Sequence, residues 1–135
     1  MAMFEKLGAY KDVAQLILRV GTGALLLTHG LPKLAKGIAG WEKIGHAMGL
    51  LGIHFAPALW GFLAAAAEGI GGLLMVLGLF FRPAVFLALF TMGVAAYSHL
   101  SQGDGLKGAE MAILYGIILL SLFILGPGKY SVDKK

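Results

Sequence analysis

Apolar residues fill this chain in four long blocks separated by short polar joints. The blocks cover about residues 12–30, 56–80, 82–100 and 108–125. Each is close to the ~20 residues that a ~30 Å hydrocarbon core requires. Inside lipid the backbone must satisfy its own polar groups, so these Gly-rich runs predict helices, not the strands of a closed barrel. The joints carry the turn chemistry. Leu31-Pro32-Lys33 predicts the end of the first helix, because proline restricts the residue before it and the lysine can reach the headgroup zone. Phe81-Arg82-Pro83 predicts a tight turn with Pro83 in the first turn of the next helix. Ser101-Gln102-Gly103-Asp104-Gly105 separates the last two blocks, and Gly126-Pro127-Gly128 ends the fourth. The expected fold is all-α, a transmembrane four-helix bundle forming one membrane domain over residues 1–135.

The stretch from Ala35 to Phe55 is too short and too polar to span. Within it, Trp41, Ile44, Met48 and Leu51 share one helical face, and Glu42, Lys43 and His46 lie elsewhere. That pattern predicts a short amphipathic helix at the interface between spans one and two, with a lid over the bundle mouth as the alternative. Residues 1–12 resemble the start of a signal peptide. However, the following apolar run is too long, contains Arg19 and lacks a small-residue cleavage site, so it reads as a retained first span.

Composition agrees with the pattern. Hydrophobic residues make up 59% of the chain and charged ones 13%, and the mean hydropathy is +0.84. Soluble domains have roughly 45–50% apolar and about 25% charged residues. The net charge of +4 does not signal nucleic acid, because the lysines sit at helix ends and termini, where they anchor to headgroups. The partner implied is the lipid bilayer. The chain has no cysteine, which excludes disulfides, thiol redox chemistry and iron–sulfur clusters. An even number of spans puts both termini on one side, with Lys6, Lys11, Arg82, Lys129, Lys134 and Lys135. Lys33, Lys36, Lys43 and Lys107 lie on the other. This bias points to cytoplasmic termini.

Two charges fall inside the expected spans. Arg19 lies near the middle of the first and Glu68 near the middle of the second. Each costs roughly 2.5–3.5 kcal/mol to insert at a helix centre. Similar depth on adjacent antiparallel helices predicts an Arg19–Glu68 ion pair, serving either a ligand site or helix register. Glycines flank both: Gly21 and Gly23 in the first span, Gly69, Gly71 and Gly72 in the second. They read first as close helix packing.

A second polar group gathers at the mouth opposite the termini: His29, Lys33, His99 and Glu110, with Ser98, Gln102, Asp104 and Lys107 nearby. Three readings stay open there. One is a polar cap in the headgroup zone, and another a small-molecule or proton site with a titrating histidine. The third is a metal or haem site using His29, His99 and Glu110, although no H-x-x-x-H or E-x-x-H spacing supports it. His46 and His54 read as exposed. No phosphate-binding glycine loop and no G-x-S-x-G nucleophile context occurs.

Taken together, these residues resemble the DoxX family of small bacterial membrane proteins. The resemblance rests on Arg19 with Gly21 and Gly23, His29-Gly30 and Lys33. It continues through Glu68 with Gly71 and Gly72, Gly78, Arg82, His99, Glu110 and the tail Gly126-Pro127-Gly128-Lys129-Tyr130-Ser131-Val132-Asp133. It runs from Leu16 to Asp133. It implies four membrane helices in the bacterial inner membrane. It also implies association with quinone-linked or oxidative-stress redox systems, the family name coming from a small membrane subunit linked to a thiosulfate:quinone oxidoreductase. No intrinsic cofactor is expected, and a redox role needs a quinone or a partner subunit.

The expectation is therefore an accessory or binding subunit, not a self-sufficient enzyme. Its ligand-binding or proton-exchange candidates are Arg19, Glu68, His29, Lys33, His99 and Glu110. Two other classes remain: a transporter-like carrier, whose pathway needs a homo-oligomer or a large opening of the bundle, and a scaffold for a peripheral partner.

Overall fold

The computed structural model describes residues 2–133; Met1, Lys134 and Lys135, the last two counted in the charge bias, lie outside them. A short helix α1 (Ala2–Glu5) and a 3₁₀ turn (Lys6–Tyr10) lead into α2 (Lys11–Ala35). Helix α3 (Gly37–Gly45) continues as a 3₁₀ segment (His46–Leu51). Then come α4 (Pro57–Leu77), α5 (Phe81–Ser101) and α6 (Gly105–Leu125). Four helices are long and apolar enough to cross a membrane: the one ending at Ala35, α4, α5 and α6. No strand occurs among the described residues. The chain is an all-α transmembrane four-helix bundle.

Several boundaries differ from the sequence expectation: α6 begins at Gly105, not at 108, and the tight turn expected at Phe81-Arg82-Pro83 falls at Gly78–Phe80, so that those three residues open α5. Helix α2 does not stop at Pro32 but runs through it to Ala35. One proline near a helix end removes a single backbone bond. The carbonyl of Lys33 beyond it is held by the backbone N–H of Lys36 at 3.2 Å and by Trp41 Nε1 at 3.1 Å. Helix α4 stops at Leu77, not Phe80, because Gly78 turns left-handed at φ 69°. Its N–H bonds Met75 O at 3.2 Å and Leu79 N–H bonds Leu74 O at 3.0 Å, closing the helix. The expected helix through Leu51 is split. Beyond Gly45 it tightens to 3₁₀ form, so Met48 is buried while Leu51 turns outward.

Helices α2 and α4 are antiparallel and pack backbone to backbone. A Cβ added at Gly23 would meet Gly72 O at 2.8 Å, and one at Gly72 would meet Gly23 O at 2.7 Å. At Gly30 it would land inside the backbone of Glu68 and Gly69. The two chains touch where side chains are missing, as small residues allow in a bilayer. Helix α3 is fixed the same way, with Gly45 against Pro57 and Gly61 against Trp41. The second half of the bundle is filled by α5 and α6. Phe81, Val85, Ala88 and Met92 form one face of α5 and bury against Leu119 and Leu122 of α6, with Leu26 and Met75 closing the core. The outward faces, such as Ile17, Leu87, Phe90, Ile117 and Ile124, are exposed apolar surface suited to lipid.

Candidate functional site

The glycine contacts set the α2–α4 register and thereby separate the two charges expected to pair. Gly30 lies against Gly69, and Gly23 against Gly72 and Val76. Arg19 therefore faces the end of α4, and Glu68 faces the stretch of α2 around Gly30. The two positions are roughly 16 Å apart along the helix at about 1.5 Å per residue. No Arg19–Glu68 pair forms: each has other partners.

Arg19 is 2% exposed. Its Nη1 donates to Pro127 O at 2.6 Å, and its Nη2 to Tyr130 O at 2.8 Å and Val76 O at 3.3 Å. Gln15, one turn earlier, donates to Gly126 O. The tail that supplies these carbonyls is itself bound down. Val132 N–H meets Leu77 O at 3.1 Å and Asp133 N–H meets Gly78 O at 2.9 Å. The Asp133 carboxylate accepts the N–H groups of Phe80 at 3.2 Å and Phe81 at 2.9 Å, where α5 begins. An aspartate there satisfies amides that the helix leaves free. It also holds Phe80, a non-glycine residue at φ 46°. Arg82 donates to Phe123 O at 3.1 Å, at the end of α6. The family-like residues Arg19, Gly78, Arg82 and 126–133 thus form one clasp at the terminal mouth, to which each Nη group of Arg19 gives a hydrogen bond.

Glu68 is 3% exposed and has a different partner. Lys33 Nζ lies 2.8 Å from its Oε2. The expectation that Lys33 reaches toward headgroups gives way to a turn inward from the last turn of α2. The carboxylate sits in the bundle, so the ammonium recovers more energy beside it than in partial hydration. Both residues line a cavity of about 270 Å³ between α4, α5 and the α3 segment. Ile44 and Met48 roof it, Trp60, Ala64 and Ala67 form the α4 wall, and Leu87, Phe90 and Thr91 form the α5 wall. Leu63, Leu87 and Phe90 also belong to the exposed apolar surface, so the cavity opens sideways to lipid. An apolar chamber with a few convergent polar groups is the usual form of a small-ligand site.

The remaining candidates do not converge. His29 is exposed and meets Tyr115 of α6 edge-on, with ring centroids 6.0 Å apart. His99 Nδ1 pairs with Asp104 Oδ2 at 2.9 Å in the loop before α6. Glu110 is exposed on α6. The four mouth residues read from the sequence thus have four different surroundings, Lys33 being the one that turns in to Glu68. Among the described residues no group of three His, Cys, Asp or Glu side chains could hold a metal. A second, more polar cavity of about 400 Å³ holds Lys43, His46 and His99, and shares Ile44, Ala47 and Ala95 with the first.

Sequence reasoning missed Trp60 and Thr91, and it gave the covering role of the α3 stretch only as the alternative to an interfacial anchor. A signal existed: Trp60, Ala64, Ala67 and Glu68 fall on one face of α4 at helical spacing. Read from Glu68 backwards, that face already traces the cavity wall.

Comparison with known proteins follows the same lines. The family model described as DoxX matches residues 14–100. The inner membrane protein YqjF of Escherichia coli (strain K12) is 32% identical over 129 residues, covering 92% of this chain and 92% of that protein. The inner membrane protein YphA of the same organism is 29% identical over 136 residues, covering 95% of this chain and 94% of that protein. No solved structure matches the chain.

Proposed function

This chain belongs to the DoxX family, and from that premise we propose that it is a binding subunit of a redox system in the bacterial inner membrane, holding a quinone-like ligand beside Lys33 and Glu68. The single observation that carries the reading is the lipid-open apolar cavity lined by that ion pair. The apolar α4 and α5 walls suit an apolar ring, and its carbonyl oxygen can accept from Lys33 Nζ, which has two further N–H bonds beyond the one to Glu68. Glu68 accepts from Lys33 through Oε2 and so keeps the ammonium turned toward the chamber. Electrons come from a partner subunit, since this chain has no cysteine.

The reading is tested by purifying the protein in native-lipid nanodiscs and measuring extracted quinone by mass spectrometry. Wild type should carry quinone in near-stoichiometric amount. Lys33→Met and Glu68→Gln should each lower it by roughly tenfold or more, the worth of one charge-assisted hydrogen bond. The double variant should lose little beyond either single. Wild-type protein free of quinone sinks the proposal.

The orientation proposed with it has the clasp and both termini in the cytoplasm, on the strength of the Lys/Arg bias. Because the chain lacks cysteine, one cysteine introduced at Lys107 and another at Lys129 give a clean check. A membrane-impermeant maleimide should label only the first in intact spheroplasts, and labelling of only the second reverses the orientation.

A further inference from the structure

The second cavity has no part in the quinone reading, and its walls differ from those of the first. It measures about 400 Å³, with Lys43 and His46 of the α3 segment on one side and Ser98, His99 and Gln102 of the α5 end on the other. No carboxylate lines it. Asp104 lies just beyond and is paired with His99 at 2.9 Å. The other ion pair among the described residues is Lys33–Glu68. Lys43 is therefore the charge of this cavity that no acid compensates, and it is exposed, as is His46. Its four-carbon stem lets the ammonium follow an anion lodged there.

Depth adds a second constraint. Leu87, Thr91, Ala95, Ser98 and Gln102 follow one another at three- and four-residue spacing, so they share one face of α5 and its end. That face is apolar at Leu87 and polar at Ser98 and Gln102. The apolar chamber takes its first part and the polar cavity its second, and the two share Ile44, Ala47 and Ala95. From His99 back to Leu87 is roughly 18 Å of helix, which leads from the headgroup zone into the hydrocarbon. Leu87 and Phe90, both exposed, stand at the lateral opening of the chamber. Positive charge at headgroup depth above an apolar, lipid-facing wall matches the outline of an anionic lipid standing along α5.

We propose that the polar cavity binds the phosphate head of one anionic phospholipid, whose acyl chains run down α5 past Leu87 and Phe90. Lys43 is the charged contact, and His46, Ser98, His99 and Gln102 offer hydrogen bonds to phosphate and glycerol oxygens. The chemistry recognised is a phosphate anion, and the bilayer is its source because a free anion would use the polar half of the wall alone. The inference goes beyond the quinone reading and stands without it, since the head site lies outside the chamber. Where both ligands bind, the lipid lies across the opening through which the quinone passes.

The test is native mass spectrometry of the full chain released from detergent, titrated with phosphatidylglycerol, with zwitterionic phosphatidylcholine and with inorganic phosphate. Wild type should take one phosphatidylglycerol roughly 5- to 10-fold more tightly than phosphatidylcholine. The Lys43→Gln, His46→Gln double variant should lose that preference. Both residues are exposed, so the bundle should fold unchanged. Lys107→Gln removes a lysine at the same mouth but outside the cavity, and should behave as wild type. Equal affinity of wild type for the two lipids overturns the inference. So does a preference that survives in the double variant, or that falls equally in Lys107→Gln, since bulk charge then accounts for it. Inorganic phosphate that displaces phosphatidylglycerol at matching concentration makes the ligand a soluble anion and overturns the lipid. Quinone content is read in the same preparations. A phosphatidylglycerol preference in quinone-free protein upholds the lipid site and sinks the quinone reading, and quinone-loaded protein without that preference does the reverse.

Discussion

Arg19→Ala should cost about 3–5 kcal/mol of stability, enough to leave little folded protein in the membrane. The substitution removes the donor shared by Pro127, Tyr130 and Val76 carbonyls. Each carbonyl left unpaired at low dielectric costs about 1–3 kcal/mol. The tail would also lose its main attachment to α2, and with it the aspartate that closes the start of α5. Arg19→Lys should recover only a minor part, because one ammonium cannot span carbonyls from three directions as a planar guanidinium does. The measurement is the apparent melting temperature in detergent, with a fall on the order of 10 °C or more expected for alanine. An alanine variant that melts with wild type would mean that the clasp contributes nothing, and would return Arg19 to the list of ligand-binding candidates.

The second large effect is steric. Gly30→Val should prevent the α2–α4 pair from closing, since even a Cβ at that position would occupy the space of the Gly69 backbone. Relief requires the helices to separate along their length, which would also draw Lys33 away from Glu68. Gly21→Val is the matched control on the same helix, because a Cβ there meets nothing within 4 Å. The expected result is loss of monodisperse protein on size-exclusion chromatography for Gly30→Val and a normal profile for Gly21→Val. The comparison is informative because both substitutions impose the same helix-propensity change, so any difference is packing. Equal behaviour of the two variants would contradict the close α2–α4 contact.

The helices were legible in the sequence because hydropathy and turn chemistry act locally. Pro83 marks the α4–α5 joint to within a few residues by its own backbone preference, although the turn itself falls earlier, at Gly78. The separation of Arg19 from Glu68 was not legible, because depth in a span says nothing of register. Register depends on which glycines meet, and Gly21 and Gly23 look alike until the structure shows one open and the other against Gly72. The helix passing through Pro32 added to the error by moving Lys33 into reach of Glu68. The four mouth residues were grouped because each sits near the same end of a span. Only the direction of each side chain divides them, and that is a property of packing, not of sequence position. The cavity was half visible: the α4 wall follows the spacing from Trp60 to Glu68, but its roof comes from a connecting segment whose path the sequence leaves open.

The clasp also has a consequence for biosynthesis. The carbonyls that hold Arg19 belong to residues 108 and 111 positions further along the chain. At about 5–20 residues per second, a ribosome completes them roughly 5–20 s after it has made the arginine. During that interval the guanidinium has entered the translocon with none of its tail acceptors yet in existence. Its closure is a late, long-range step, and a segment translated more than 100 residues later seals a charge introduced by α2.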